Sequence, residues 1–405
     1  MPAVIKNSIS QPSRFILPPL ILLIGGTSAL AQGRAFDSPG ASRYFVTGQT
    51  NQFTNDFNPA IGVVIDFLGD YLDDDSGDGF DLELRLIELN ASGYVDPDAW
   101  AYLALVSEQG ESPEVEEIAV NYTGMEGNST IKVGRFFVDF GKQMQTHLEE
   151  LRTLERPLPL RSFLGDELGG DGLQYDNWMA LGEMPVRFSV GAFASLLGED
   201  DEDDPSSPLG SVPDRNDIDE LSFTARLTGM VDVGDSGLFQ LGLSSRFVPE
   251  FSYAFEPAAL ETSGLSNTVY GLDATYGWTG DTGLSRFSAG GEFLLYDGDL
   301  AAQIDDPTTP TAINVVADTA SGYFLFADYG WNQVSSAGVQ YALADLPSDP
   351  DLSQSEFDVY YTMHLTELRR LRFGVTLSDG DNGDATRVYV QFTNFFGNHA
   401  HGANW

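Results

Sequence analysis

The C-terminal stretch "LRRLRFGVTLSDGDNGDATRVYVQFTNFF" (residues 368–396) contains two segments in which apolar and polar side chains alternate, separated by a polar turn. In the first segment, Leu371 and Phe373 alternate with Arg370 and Arg372. Alternation with a period of two is typical of a β-strand that has one apolar and one polar face. The stretch therefore predicts two antiparallel strands joined by a turn.

The same alternation recurs through the chain. About sixteen segments show it, and they begin near residues 60, 80, 99, 114, 129, 172, 185, 219, 237, 268, 284, 320, 334, 355, 368 and 385. The short connections between them are 91–97, 123–128, 180–184, 232–236, 280–283, 330–333 and 364–367. The other connections, mostly long and polar, are 68–79, 107–113, 138–171, 197–217, 248–267, 297–318, 344–354 and 378–384.

Short and long connections in turn, with an even number of strands, are typical of transmembrane β-barrels. We predict an all-β fold, a transmembrane antiparallel β-barrel of about 16 strands (14–18), with short periplasmic turns and long extracellular loops. In such a barrel the apolar face meets lipid, and the polar face lines an interior too wide for side chains to fill. A large secreted sandwich or propeller is the alternative, but the sequence has no internal repeat of the kind that propellers have.

The N-terminus carries an export signal. Lys6 and Arg14 are followed by an apolar stretch at 15–24, and an A-x-A site ends at Ala31. This order of features is that of a secretory signal peptide. The predicted domains are a signal peptide at 1–31, a flexible N-terminal segment at 32–58, and a barrel at 59–405 with a constriction loop at 138–171.

Composition excludes several classes of function. Without Lys6 and Arg14, 18 of the 20 basic residues remain against 61 acidic residues, and such a surface repels nucleic acid. The chain has no cysteine, which excludes disulfides and thiolate chemistry. It contains none of the common hydrolase or metalloprotease motifs. We therefore expect neither an enzyme nor a cofactor.

The signal peptide, the alternating segments and the aromatic C-terminal residue Trp405 together resemble Gram-negative porins and porin-like outer-membrane proteins, with a general likeness to phosphate-selective porins. The resemblance implies a location in the outer membrane and a passive channel for small hydrophilic solutes or ions. It also implies contact with outer-membrane lipid and lipopolysaccharide, assembly by the barrel-assembly machinery through the C-terminal strand, and a possible homotrimer.

Residues 138–171 form the third long loop, which in sixteen-stranded porins folds inward and narrows the pore. The resemblance therefore implies that this loop is the constriction. Unlike the other long loops, which are acidic, it has mixed charge. Its candidate pore-lining residues are Lys142, His147, Glu149, Glu150, Arg152, Glu155, Arg156, Arg161, Asp166 and Glu167.

The local pattern of this loop predicts a short helix over 145–156. Thr146 is a candidate N-cap with Glu149 three residues later, and Pro157 would end the helix. The following segment, 157–165, is predicted to run extended along the barrel wall.

The polar faces of the strands supply candidate partners for the loop, namely Arg187, Arg226, Arg246, Arg286, Arg370, Arg372 and Arg387, together with Arg85. Wall arginines facing loop carboxylates would produce a field across the pore that selects solutes by charge. The alternative is that these groups pair only to hold the loop on the wall. The sequence does not decide between cationic and anionic solutes, because arginine binds carboxylate and phosphate well.

Acidic residues and histidines outside this loop are weaker candidates. Asp73 and Asp75 have the spacing of a calcium loop but lack its final glutamate, and His399 and His401 form an H-x-H pair. We therefore assign no metal site to them. A non-transporting surface protein, an adhesin or structural anchor whose acidic loops bridge cations, is the second functional hypothesis.

Overall fold

The computed structural model describes residues 59–75, 77–194, 196, 218–255, 260–304, 311–347, 349–366 and 368–397. They form sixteen antiparallel strands closed into one barrel, in which β1 pairs with β16. The strands are β1 (Ala60–Asp74), β2 (Gly77–Asp96), β3 (Ala99–Glu108), β4 (Glu114–Tyr122), β5 (Ser129–Phe137), β6 (Gly169–Leu181), β7 (Met184–Phe193), β8 (Ser222–Val233), β9 (Gly237–Phe255), β10 (Leu260–Thr279), β11 (Arg286–Ile304), β12 (Ile313–Gly330), β13 (Ser335–Leu346), β14 (Asp349–Thr366), β15 (Arg369–Gly380) and β16 (Ala385–Gly397). The predicted fold class and strand number are confirmed.

Three short helical elements lie in the connections: α1 (Leu158–Leu164) and two 3-10 helices (Leu148–Glu150 and Ile218–Glu220). In the part of the chain that the structure describes, no helix is both long enough and apolar enough to cross a membrane. The predicted signal peptide, the segment 32–58, His399, His401 and Trp405 lie outside the described residues.

The two rims of the barrel differ. We call the end that carries the β1–β2 and β5–β6 connections the long rim, and the opposite end the short rim. At the long rim, the predicted loops 248–267 and 344–354 are too long. The strands on both sides of each loop extend into it, so that the connections are only 256–259 and 347–348. Within 248–267 these strand ends bury Val248, Phe251, Tyr253 and Leu265, but Pro249 and Gly264 interrupt the alternation by which a half-buried strand is recognised.

Two β-bulges change which side chains face the interior. The β1–β2 register shifts between Asp66 and Phe67, whose partners are Leu86 and Leu84, so that Arg85 is the extra residue. As a result Arg85 and Leu86 are both buried. The alternation is therefore reversed between Leu84 and Leu86, because a bulge moves the residues that follow it to the other face.

The second bulge lies on β4. The β3–β4 register passes from Ala104 opposite Glu117 to Leu105 opposite Val115, which leaves Glu116 as the extra residue. The side chains of both Glu116 and Glu117 are buried against the same histidine, His147. An inserted residue thus adds an inward-facing carboxylate at this position.

Large apolar side chains cover the outside of the barrel. They include Leu243 (54% exposed) on β9, Phe293 (45%) on β11, Leu325 (57%) on β12, Val339 (41%) on β13 and Val388 (46%) on β16. A continuous apolar surface of this extent is unusual on a soluble protein. The alternation seen in the sequence therefore places apolar groups outside and polar groups inside, the reverse of a soluble sandwich.

Candidate constriction and solute vestibule

The connection between β5 and β6, residues 138–168, lies inside the barrel, and we call it the inner loop. Its apolar residues, among them Phe140, Met144, Phe163 and Leu164, are buried in one cluster with Leu294 and Tyr296 of β11 and Phe324 of β12. The inner loop therefore packs on an apolar part of the interior wall. The prediction that the third long loop folds inward is confirmed as part of the fold.

The helical part of the inner loop lies later than predicted. The expected helix over 145–156 reduces to the 3-10 turn Leu148–Glu150, and the segment expected to be extended forms α1 (Leu158–Leu164). Proline is favoured in the first turn of a helix, and Pro157 and Pro159 stand at the start of α1. The prediction of a helix over 145–156 and the prediction of an extended segment over 157–165 are therefore both wrong.

Arg156 holds the first half of the inner loop in a non-helical course. Its guanidinium donates to the carbonyl oxygens of Gln143 (3.1 Å), Thr146 (2.6 Å) and Asp166, and pairs with Glu167 at 3.3 Å. Carbonyls that would accept helical hydrogen bonds are instead bound by one side chain. Arg156 is buried and therefore supports the loop rather than facing solute.

The start of the inner loop is fixed by a buried ion network. Asp139 pairs with Arg187 of β7 at 2.7 Å and with Arg226 of β8 at 3.4 Å. Each arginine also has an acid on the wall, Asp176 for Arg187 and Asp273 for Arg226. Burial raises the pKa of Asp139, but the two arginines outweigh it and hold that pKa below its ordinary value.

Gly141 allows the backbone to approach the wall closely. Its φ is +56°, and a Cβ there would lie 2.0 Å from Glu292 Oε2. Glu292 of β11 accepts hydrogen bonds from the backbone N–H groups of Lys142 (2.7 Å) and Gln143 (2.8 Å). Burial, together with the nearby Arg226, lowers the pKa of Lys142 to about 8.

The middle of the inner loop is held by arginines of the opposite wall. Arg85 donates to the carbonyl of Leu154 at 2.6 Å and Arg372 to that of Thr153 at 3.1 Å, while Arg370 donates to that of Glu149. These arginines are buried. Such contacts correspond to the interpretation in which wall arginines hold the loop in place.

Further ion pairs continue this attachment. Arg152 donates to Asp328 Oδ2 at 2.7 Å, with its guanidinium 3.4 Å from the centre of the Phe326 ring. Arg161 pairs with Glu356 at 2.6 Å and with Glu155 at 3.2 Å. Glu155 also pairs with Arg387. Arg161 and Arg387 lower the pKa of Glu155 more than burial raises it, so this pKa lies below its ordinary value.

Two predicted arginines lie away from the inner loop. Arg246 donates to the carbonyl of Leu196 (2.8 Å) and to Asn267 Oδ1 (2.7 Å), so it supports the β7–β8 connection. Arg286 lies at the short rim, 3.5 Å from the carbonyl oxygen of Asn332. The structure therefore brings Arg187, Arg226, Arg370, Arg372 and Arg387 to the inner loop, but not Arg246 or Arg286.

His147 lies between two carboxylates of β4. Its Nδ1 is 3.0 Å from Glu116 Oε2, and its Nε2 is 3.1 Å from Glu117 Oε2. Burial lowers the pKa of His147, but the carboxylates of Glu116 and Glu117 outweigh burial and raise it well above its ordinary value. This contact could not be predicted from the sequence, because the contact depends on the bulge at Glu116.

A cavity of about 810 Å³ opens between the inner loop and β1, β2 and β16, towards the long rim. We call it the vestibule. It is lined by Leu68, Asp70, Leu72, Asp74, Gly77, Asp78, Gly79, Phe80, Asp81, Glu83, Arg85, Glu108, Gln109, Leu148, Leu154, Glu155, Asp166, Glu167 and Arg387. Nine of these residues are carboxylates and two are arginines. Both arginines are paired, Arg85 with Asp66 and Arg387 with Asp70 and Glu155, so the vestibule has a strong negative excess.

No protein-family model matches the sequence, and no curated protein matches it. Solved structures share its fold. An anion-selective porin from Comamonas acidovorans aligns with a TM-score of 0.55 at 13% identity, over 83% of this chain and 98% of that chain. The high-pH structure of OprB from Pseudomonas putida aligns with a TM-score of 0.55 at 13% identity, over 84% of this chain and 94% of that chain. At this identity the likeness establishes the fold, which is the porin fold that the sequence pattern predicts.

Proposed function

We propose that the chain is an outer-membrane, porin-like channel for passive diffusion of small hydrophilic solutes or ions. One observation carries this proposal: the inner loop packs inside a closed sixteen-strand barrel and leaves the vestibule, a cavity of about 810 Å³, beside it. A barrel of this size leaves an aqueous interior unless it is plugged, and a loop folded onto one wall narrows that interior.

The location in a membrane is supported by the outer surface. Apolar side chains cover the outside of the strands, and every strand has at least nine residues. Strands of about 9–11 residues suffice to cross the hydrocarbon core when tilted. The export signal predicted at 1–31 agrees with this location, and it remains part of the proposal.

The vestibule favours cations. Carboxylates that line a narrow aqueous space raise the local concentration of cations and lower that of anions. The wall arginines are candidate anion-binding groups by their chemistry, but most of them are buried in contacts with the inner loop. The Comamonas acidovorans porin is anion-selective by its name. The acidic vestibule argues for the opposite preference in this chain.

The second candidate is a non-transporting surface protein that bridges cations. It is favoured by the acidic long rim, where Asp73, Asp75 and Asp78 lie on the β1–β2 hairpin. Among the residues that the structure describes, however, the connections at this rim are mostly short apart from the inner loop. Contacts with lipopolysaccharide, assembly through the C-terminal strand and a homotrimer are part of the channel proposal.

Liposome swelling distinguishes the two candidates. The folded protein is expected to admit a monosaccharide rapidly and a tetrasaccharide much more slowly, because the inner loop narrows the lumen. The rates are compared with those of liposomes that contain heat-unfolded protein. If folded protein admits neither sugar, the channel proposal fails and the surface-protein candidate gains support.

A further inference from the structure

His147 of the inner loop lies close to more carboxylates than a single structural ion pair requires. One donor atom each of Glu88, His147 and Glu149 lies within 4.8 Å of the other two, and all three side chains are buried. Glu116 and Glu117 approach the two ring nitrogens at 3.0 and 3.1 Å. Four glutamates and one imidazole therefore share one buried region beneath the vestibule.

These donors come from separate elements. Glu88 belongs to β2, Glu116 and Glu117 to β4, and His147 and Glu149 to the inner loop. Glu116 faces the interior only because it is the inserted residue of a bulge. Bulges are common next to functional sites, where they redirect a side chain. Side chains from three elements that converge on one imidazole form the type of donor set that holds a metal.

We propose that His147, Glu88 and Glu149 form a binding site for one divalent transition-metal ion of the Zn²⁺ type. One imidazole nitrogen with carboxylate oxygens suits such an ion, whereas Ca²⁺ takes oxygen ligands alone. In this proposal the ion binds Nδ1, the ring nitrogen that Glu117 does not hold, and Glu116 gives up its hydrogen bond with that nitrogen. Zinc bonds of about 2.0–2.2 Å require the donors to approach one another, which rotation of the glutamate side chains supplies.

Glu117 has a different role from the ligands. Its Oε1 accepts hydrogen bonds from the Tyr102 hydroxyl (3.1 Å) and from the Phe137 backbone N–H (3.0 Å), so its position is fixed. Its Oε2 accepts the hydrogen bond from His147 Nε2. A carboxylate that binds the far nitrogen of a metal-bound histidine orients the ring and raises its basicity. Glu117 is thus the positioning residue of the site.

Metal binding would join the inner loop to β2, while Glu117 links the same histidine to β4. The proposed ligands come from both the loop and the wall, so the ion would stabilise the inward position of the loop. This inference concerns a structural metal site and does not depend on whether the barrel conducts.

Zn²⁺ binding is measured on the folded, chelator-stripped protein in detergent by titration calorimetry. The full chain carries His399→Gln and His401→Gln, so that the H-x-H pair cannot bind metal. We expect one Zn²⁺ per chain. Glu88→Gln and Glu149→Gln should each weaken the affinity at least tenfold, and Glu117→Gln by about 10–100-fold, as outer-shell changes do. His147→Gln should abolish binding.

The matched controls are His364→Gln on β14 and Glu114→Gln at the start of β4, which should leave the affinity unchanged. Co²⁺ supplies a second readout, because a bound histidine nitrogen changes its visible absorption and this change should vanish in His147→Gln. If His147→Gln does not fold, Glu88→Gln and Glu149→Gln decide. Absence of Zn²⁺ binding, equal binding in these two variants and the controls, or displacement of Zn²⁺ by equimolar Ca²⁺ would overturn the proposal.

Discussion

Replacing Asp139 by asparagine should lower the free energy of unfolding by about 3 kcal/mol, near the lower end of the range for a broken buried ion pair. Asp139 joins the start of the inner loop to Arg187 and Arg226, both buried. The substitution leaves two buried guanidinium groups with one carboxylate fewer. The expected loss lies near the lower end of that range because Asp176 still pairs with Arg187 and Asp273 still pairs with Arg226. Thermal or denaturant unfolding of the purified barrel measures the effect.

The matched control is Asp171→Asn. Asp171 pairs with Arg135 at 2.9 Å, but this pair is exposed, so the expected loss is below about 1 kcal/mol. The two substitutions should also differ in their response to pH. Because the pKa of Asp139 is held below its ordinary 3.8, its stabilising contribution is complete above that pH and is lost as the pH falls through the folded value. Equal losses in the two variants would contradict the account of Asp139 as an anchor of the loop.

Neutralising three vestibule carboxylates should shift the channel towards anions. In the triple variant Asp81→Asn, Glu83→Gln and Glu108→Gln, the vestibule loses three of its nine carboxylates and retains both arginines. A charge about 10 Å from an ion in water contributes roughly 0.4 kcal/mol unscreened, and roughly 0.15 kcal/mol at about 0.1 M salt, where the Debye length is about 10 Å. Because the three charges act with opposite sign on the cation and on the anion, their combined effect of about 0.9 kcal/mol should change the cation-to-anion permeability ratio roughly fivefold at that salt concentration. Reversal potentials in a potassium chloride gradient measure this ratio. The shift should be largest in dilute salt and small at about 1 M, where the Debye length is near 3 Å.

The control for this variant carries the same change of charge at the short rim, in Glu183→Gln, Asp232→Asn and Asp235→Asn. These residues are exposed, and none of them lines the vestibule. Their neutralisation should leave the permeability ratio close to that of the unchanged protein. A similar shift in both triple variants would mean that overall charge, rather than the vestibule, sets the preference.

The wall of the barrel could be predicted because its physical signal is local. A strand with lipid on one side and water on the other must alternate, and the pattern of Arg370, Leu371, Arg372 and Phe373 shows this directly. The structure buries both arginines and exposes Phe373. The ends of β9 and β10 could not be placed, because Pro249 and Gly264 interrupt their alternation. For this reason, 248–267 was predicted to be a loop.

The interior could not be predicted in the same way. The partners of Arg156 and His147 depend on the path of the inner loop, and nothing in the spacing of 138–168 determines that path. Glu116 faces the interior through a bulge, and that bulge is defined by the pairing of β4 with β3 rather than by the local sequence. The sequence thus identified the loop and its charged residues, but it left their pairing open.

The reversal potential of single channels, formed by the unchanged protein in a planar bilayer under a potassium chloride gradient, tests the central claim most directly. The account predicts discrete openings and a reversal potential of the sign that marks potassium as more permeable than chloride. Folded protein that produces no openings, or openings that favour chloride, would contradict it.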